Sequence, residues 1–230
     1  MDLDKRKEEL FNLVVENYIE NAEPVGSKFL VSEEGLKFSE ATVRNELRTL
    51  EEEGFLTHPH TSAGRIPTEK GYRYYIDHLD FDKGKISKRD SGFLENALSK
   101  ENDYELARKN LAKALVELSN ETIIIAFSLE KVYYTGLSNL FNKPEFQELG
   151  LAGNVSQVFD HCEECLESFF DKANDEPKYF IGDEHPFGSM LSVLSARFGK
   201  NRDSLIAMLG PKRMDYKHNF GLIKKAMEII

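Results

Sequence analysis

With 230 residues, 40% of them hydrophobic, the chain is long enough for one or two domains with true cores and is not a disordered polymer. No apolar run is long enough to cross a bilayer, and the opening MDLDKRKEEL is charged and lacks an apolar signal core, which excludes a helical membrane span and points away from export. A net charge of −10 excludes a non-specific nucleic-acid coat, which would be basic, and two closely spaced cysteines cannot staple a fold, so a reduced, cytoplasmic setting follows.

The first helix spans about 4–21, with Leu10, Val14 and Tyr18 flanked by Phe11, Val15 and Ile19 on one apolar stripe. Glu23-Pro24 breaks it, because the residue before a proline is driven out of the helical region. PVGS at 24–27 leads into a short second helix with Ser27 as a possible cap and Phe29, Leu30 and Val31 as apolar residues. Lys28 on that helix is a candidate phosphate clamp. Gly35 ends the helix and 36–38 bridges to Ser39.

The stretch 39–79 carries the chemistry. Ser39 can cap a third helix whose apolar positions Val43, Leu47 and Leu50 keep helical spacing. Thr42, Asn45 and Arg48 follow at i, i+3, i+6 and so share one stripe, with Arg44 beside it. Arginine can grip guanine and asparagine adenine in bidentate fashion, and a helix in the major groove reads bases with its N-terminal residues. From the helix alone, a solvated face explains the stripe equally well. The next segment favours base reading. Glu51-Glu52-Glu53 closes the helix with Gly54 beyond it, and 55–57 can form a strand. His58 to Gly64 is a turn, Arg65-Ile66 a return strand, and Pro67 its stop. Helix, short helix, reading helix and strand–loop–strand make a winged helix-turn-helix. At the wing, His58, His60, Thr61, Ser62 and Arg65 are suited to phosphate and sugar contacts. Residues 1–80 hold 10 Lys+Arg against 17 Asp+Glu, yet Arg44, Arg48 and Arg65 read as lying apart from the acids.

Thr68 can cap a further helix through Tyr72, Tyr75, Ile76 and Leu79, whose tyrosines pack back on the winged domain. Residues 81–92 read as a polar linker and 93–118 as one amphipathic helix, a lid on the next domain or a dimer seam. Strands follow at 122–129, 131–137, 178–182, 190–198 and 204–209, with mostly helical residues at 145–173 and a last helix from about Asp215. The fold class is α+β, an N-terminal winged helix-turn-helix followed by a domain with an antiparallel sheet.

Catalytic signals are weak. His161-Cys162-Glu163-Glu164-Cys165 offers two thiols on a helix face, but zinc needs four ligands and no second cysteine pair exists, so buried structural thiols in mid-helix are the plainer reading. Asp183-Glu184-His185 reads as a loop. No glycine-rich phosphate loop and no nucleophile elbow occur, so the chain is expected to be no enzyme and to need no cofactor or metal.

PVGS at 24–27, ATVRNEL at 41–47, LEEEGFL at 50–56 and HPHTSAGRIPTEKGYRYYID at 58–77 closely resemble the HrcA heat-inducible transcription repressors, and YYTGLSNLFNKPEF at 133–146 and GPKRMDY at 210–216 look like late motifs of that family. The resemblance implies a homodimeric repressor of chaperone operons that binds double-stranded DNA at a long inverted repeat, the CIRCE element. It is relieved by heat and helped into its active form by the chaperonin GroEL. It further implies a GAF-like second domain over 93–230, truncated here and without the usual inserted dimerisation domain, since the strand at 122–129 is followed almost at once by the late motif. A ligand- or redox-responsive winged-helix regulator of other genes is the alternative. An enclosed apolar pocket in the second domain would favour the ligand form, and metal or reactive thiols at Cys162 and Cys165 the redox form.

Overall fold

A computed structural model describes residues 3–32, 38–59, 64–81, 86–99, 101–147 and 156–230. The chain divides into two compact units, Met1–Leu79 and Asp80–Ile230.

In the first unit, α1 (Lys5–Asn21) is capped by Asp4, whose carboxylate accepts from the Arg6 and Lys7 amides. Helix α2 spans Ser27–Ser32 and α3 spans Glu40–Glu52. Strands β1 (Leu56–Thr57) and β2 (Ile66–Pro67) pair antiparallel, and α4 runs over Glu69–Asp77. The core is built from Leu10, Phe11, Val14 and Val15 of α1, Leu30 of α2, the Val43, Leu47 and Leu50 face of α3, and Tyr72, Tyr75 and Ile76 of α4. Phe11, Phe55 and Tyr74 meet edge to face at centroid distances of 5.2–5.9 Å, a favoured aromatic geometry. Gly54, at φ +79°, supplies the left-handed turn that leads the chain out of α3.

Two details depart from the sequence reading. Pro67 is a strand residue opposite Leu56 rather than a stop. The Thr68 amide donates to the Phe55 carbonyl, which makes 55/68 a hydrogen-bonded pair and leaves Pro67 at a position where the missing N–H would have pointed away from β1. The segment 24–27 does more than lead into α2. Val25 and Arg65 exchange backbone hydrogen bonds of 2.9 and 2.8 Å, which adds a third chain segment to the wing.

In the second unit, the stretch read as one helix is two. Helix α5 covers Lys88–Ser99 and α6 covers Tyr104–Ser119, whose start is capped by Asp103. Helix α5 therefore begins inside the stretch read as linker. The hairpin β3 (Thr122–Ser128) and β4 (Lys131–Thr135) turns on two residues, so no inserted domain separates these strands. The second strand of the pair stops two residues before its expected end, because Gly136 at φ +91° turns the chain into α7 (Leu137–Phe141). Then come a 3-10 turn (Pro144–Phe146), α8 (Cys162–Phe170), β5 (Lys178–Ile181), a second 3-10 turn (Gly182–Glu184), β6 (Leu191–Phe198), β7 (Ser204–Pro211) and α9 (Tyr216–Ile229). The sheet order is β4-β3-β7-β6-β5, antiparallel throughout.

Alternate residues of each strand face opposite sides. Ile124, Val193 and Ala207 lie on the side covered by Leu140, Leu166 and Phe169 of α7 and α8. The other side carries Ile125, Leu194 and Met208 under α6 and α9, where Tyr179 meets Tyr216 at 5.0 Å. Helix α6 is thus a lid on its own sheet.

Gly71 is the tightest approach in the winged unit. A Cβ there would overlap the carbonyl oxygen of Phe55, which already accepts from the Thr68 amide and hydroxyl. Gly71→Ala is expected to destabilise this unit by on the order of 2 kcal/mol, despite alanine's helix preference of about 1 kcal/mol. Denaturant unfolding measures this, and an unchanged midpoint would contradict the packing described.

Candidate nucleic-acid interface

Burial of Val43, Leu47 and Leu50 fixes the rotation of α3 and turns Arg44, Asn45 and Arg48 outward, with Thr42 half-buried at the edge. Ser39 caps the helix, accepting from the Thr42 amide at 3.2 Å, and its hydroxyl lies 2.9 Å from that of Thr42. Lys28 is exposed on α2, and the 3.4 Å bond from the Ser27 hydroxyl to Glu40 sets the start of α2 beside the start of α3. His58 and Arg65 stand at the root of the wing, one step beyond the 57/66 pair. His60, Thr61 and Ser62 lie outside the described residues.

The arginines do not lie apart from the acids. Arg44 pairs with Glu40 at 2.6 Å, Arg48 with Glu52 at 2.9 Å and Arg65 with Glu51 at 2.8 Å. Glu51 also accepts from His58 Nδ1, while Glu46 pairs with Arg6 and Glu53 with Lys7 on α1. Each glutamate between residues 40 and 53 therefore has a basic partner. Sequence spacing reveals the i,i+4 pairs but not the long-range ones. The exposed pairs are weak: with 75% of the Arg48 side chain and 62% of the Glu52 side chain accessible, exchange of the carboxylate for another anion costs at most about 1 kcal/mol. Arg65 and Glu51, each 23% accessible, form a more sheltered contact.

Gly64 has a steric role. A Cβ there would lie 2.5 Å from the Val25 carbonyl carbon and 2.6 Å from that of Pro24, so only glycine lets the wing close on the 24–25 segment.

The other clusters are structural. Cys162 opens α8 rather than sitting in mid-helix, since the helix breaks at His161. Burial, together with Cys165 and Glu163, pushes the Cys162 thiol up to about 12, and burial raises Cys165 as well, which disfavours the thiolate that redox or zinc chemistry needs. Among the described residues no group of three His, Cys, Asp or Glu side chains could hold a metal ion. Glu184 accepts from the Ile181 amide at 2.9 Å, closing its 3-10 turn. His185 is buried, with Nε2 donating to the Leu191 carbonyl at 3.0 Å and Nδ1 accepting from the Phe187 amide at 3.2 Å. A groove of about 690 Å³, open to solvent, lies between α5 and α9, while both sides of the sheet are filled.

Fold and surface together define a winged-helix domain followed by a GAF-like α+β domain. The family model described as "HrcA protein C terminal domain" matches residues 83–219, and that of the ribonuclease R winged-helix domain matches residues 15–74. The chain belongs to the HrcA family. It is similar to proteins named heat-inducible transcription repressor HrcA from Cutibacterium acnes (57% identical over 77 residues, 34% of this chain and 23% of the relative), Acidothermus cellulolyticus (39% over 125 residues, 54% and 37%) and Brevibacillus brevis (41% over 127 residues, 54% and 36%). The matched stretches thus span little more than a third of these relatives at most. A solved structure titled as a hypothetical protein shares the fold over 99% of this chain and 97% of its own, with a TM-score of 0.78 and 18% identity.

Two buried groups of the second unit give it an opposed pH response. Burial pulls His185 down from 6.5 to about 4. Its contribution to stability is present in full above about pH 6.5 and is lost as pH falls to about 4, on the order of 3 kcal/mol. Burial pushes the Glu121 carboxyl from 4.5 up to about 7, against the pull of Lys143 at 3.1 Å. Its contribution is present in full below 4.5 and is lost as pH rises through about 7. Denaturation across this window is expected to show a shallower acid loss in His185→Gln than in the parent and a steeper one in Glu121→Gln. Parallel curves for all three would contradict both assignments.

Proposed function

We propose that this chain is a sequence-specific, non-enzymatic transcriptional repressor of heat-shock operons, acting in the cytoplasm on double-stranded DNA. The observation that carries this reading is the outward stripe of α3 standing beside a wing whose root Glu51 holds through Arg65 and His58. Residues 1–80 bind DNA, 81–87 connect, and the GAF-like domain begins with α5 at Lys88, without the inserted dimerisation domain of longer relatives. Thr42, Arg44, Asn45 and Arg48 face the major groove, with Ser39 and Lys28 on the flanking phosphates. His58, His60, Thr61, Ser62 and Arg65 belong to the wing side of the surface.

An inverted repeat presents the same half-site twice, so a homodimer is the matching assembly. The relatives' name supports relief of repression by heat, and the chaperonin GroEL is the proposed partner in that step. No cofactor enters the scheme. An acidic protein with a clustered contact surface is expected to bind non-specific DNA weakly and its operator with strong salt dependence.

Titration of an inverted-repeat duplex at fixed salt tests the reading. Arg48→Ala is expected to weaken binding by about 1–3 kcal/mol, roughly 5- to 150-fold in Kd, with folding unchanged because the lost Glu52 pair is exposed. An unchanged midpoint would remove Arg48 from the contact surface.

A further inference from the structure

We propose that Glu51 is a positioning residue of the DNA-contact surface: by holding Arg65 and His58 at once, its carboxylate sets the wing against the reading helix. This rests on the DNA-binding reading above and adds a residue to it that touches no DNA.

Three consecutive glutamates close α3, and successive residues on a helix diverge by about 100°. Glu52 turns along its own helix to Arg48, Glu53 turns to Lys7 of α1, and Glu51 turns under the wing. There it accepts from Arg65 Nη2 at 2.8 Å and from His58 Nδ1. His58 follows β1 directly and Arg65 precedes β2 directly, and continuing the 56/67 and 57/66 register makes them the next cross-strand pair. One carboxylate therefore clips both strands at the level where the described ladder ends. Arg65 is also the residue whose backbone exchanges two hydrogen bonds with Val25, so α3, the wing and the lead into α2 meet at its guanidinium and peptide. A two-stranded ribbon of this length has little stability of its own. Without the clip its tilt relative to α3 would vary, and helix and wing could not engage one duplex without an ordering cost.

The test compares Glu51→Gln with Glu52→Gln in the full chain. Both remove one negative charge beside the contact surface, and charge alone would tighten binding to DNA in each. In the free protein, amide hydrogen exchange at Arg65 and Ile66 is expected to speed up about tenfold or more in Glu51→Gln and to stay unchanged in Glu52→Gln. On the inverted-repeat duplex, Glu51→Gln is expected to bind about tenfold more weakly, and Glu52→Gln at least as tightly as the parent. Unchanged exchange in Glu51→Gln overturns the clip, and faster exchange with binding equal to or tighter than the parent overturns its role in positioning. Faster exchange in a protein whose parent form binds no inverted-repeat duplex upholds the clip and overturns the DNA reading instead. If Glu51→Gln does not fold, Arg65→Gln is measured for exchange with the same two readings.

Discussion

The proposed contact surface depends on the burial of one helix face. Val43, Leu47 and Leu50 are almost fully enclosed against α1 and α2, and each contributes on the order of 1.5–3 kcal/mol by leaving water. With that face fixed inward, the helix has no freedom of rotation, and Arg44, Asn45 and Arg48 must stand outside. The N-cap at Ser39 then fixes where the helix begins, and therefore which residues occupy the first turns. The wing is set by contacts of another kind: the peptide exchange between Val25 and Arg65, the close approach at Gly64, and the Glu51 carboxylate.

The charge balance of the winged unit looks unfavourable for a DNA-binding surface until the pairs are traced. Glu40, Glu46, Glu51, Glu52 and Glu53 each meet a cation, two on their own helix and three on other elements. Glu46, Glu51 and Glu53 thus tie α3 to other elements, while Glu40 and Glu52 are screened by arginines of their own helix. The pairs also differ in strength of commitment. Those of Arg44 and Arg48 are exposed and readily exchanged for a phosphate or a base edge, whereas that of Arg65 is sheltered and better suited to architecture.

Much of this was readable from residues. Ser39 and Thr68 announce their helices because a hydroxyl before an amphipathic run has one strong use, and the continuous apolar runs of the strands near 122 and 204 follow from a sheet covered on both sides. What could not be read depends on distance in space. Nothing local says that Val25 will pair with Arg65, that Glu51 and Glu53 will find partners on other elements, or that Pro67 falls where a strand can spare its N–H. The break between α5 and α6 is legible in the polar run 99–103, which ends on the capping Asp103, although the apolar spacing of 104–115 suggests one continuous helix. Gly64 reads as the end of a turn, yet its role is steric.

The second domain supplies a filled, doubly covered sheet, and its buried polar residues serve that packing. Recognition is proposed for the first domain, on the outer side of α3 and the wing. Amide chemical-shift mapping of the isotopically labelled chain against an inverted-repeat duplex tests this most directly. The account predicts that the perturbed amides cluster at residues 39–48, around 58 and 65, and at the start of α2. Saturating duplex that leaves these amides unmoved, or that moves those of α9 or the sheet instead, would contradict it.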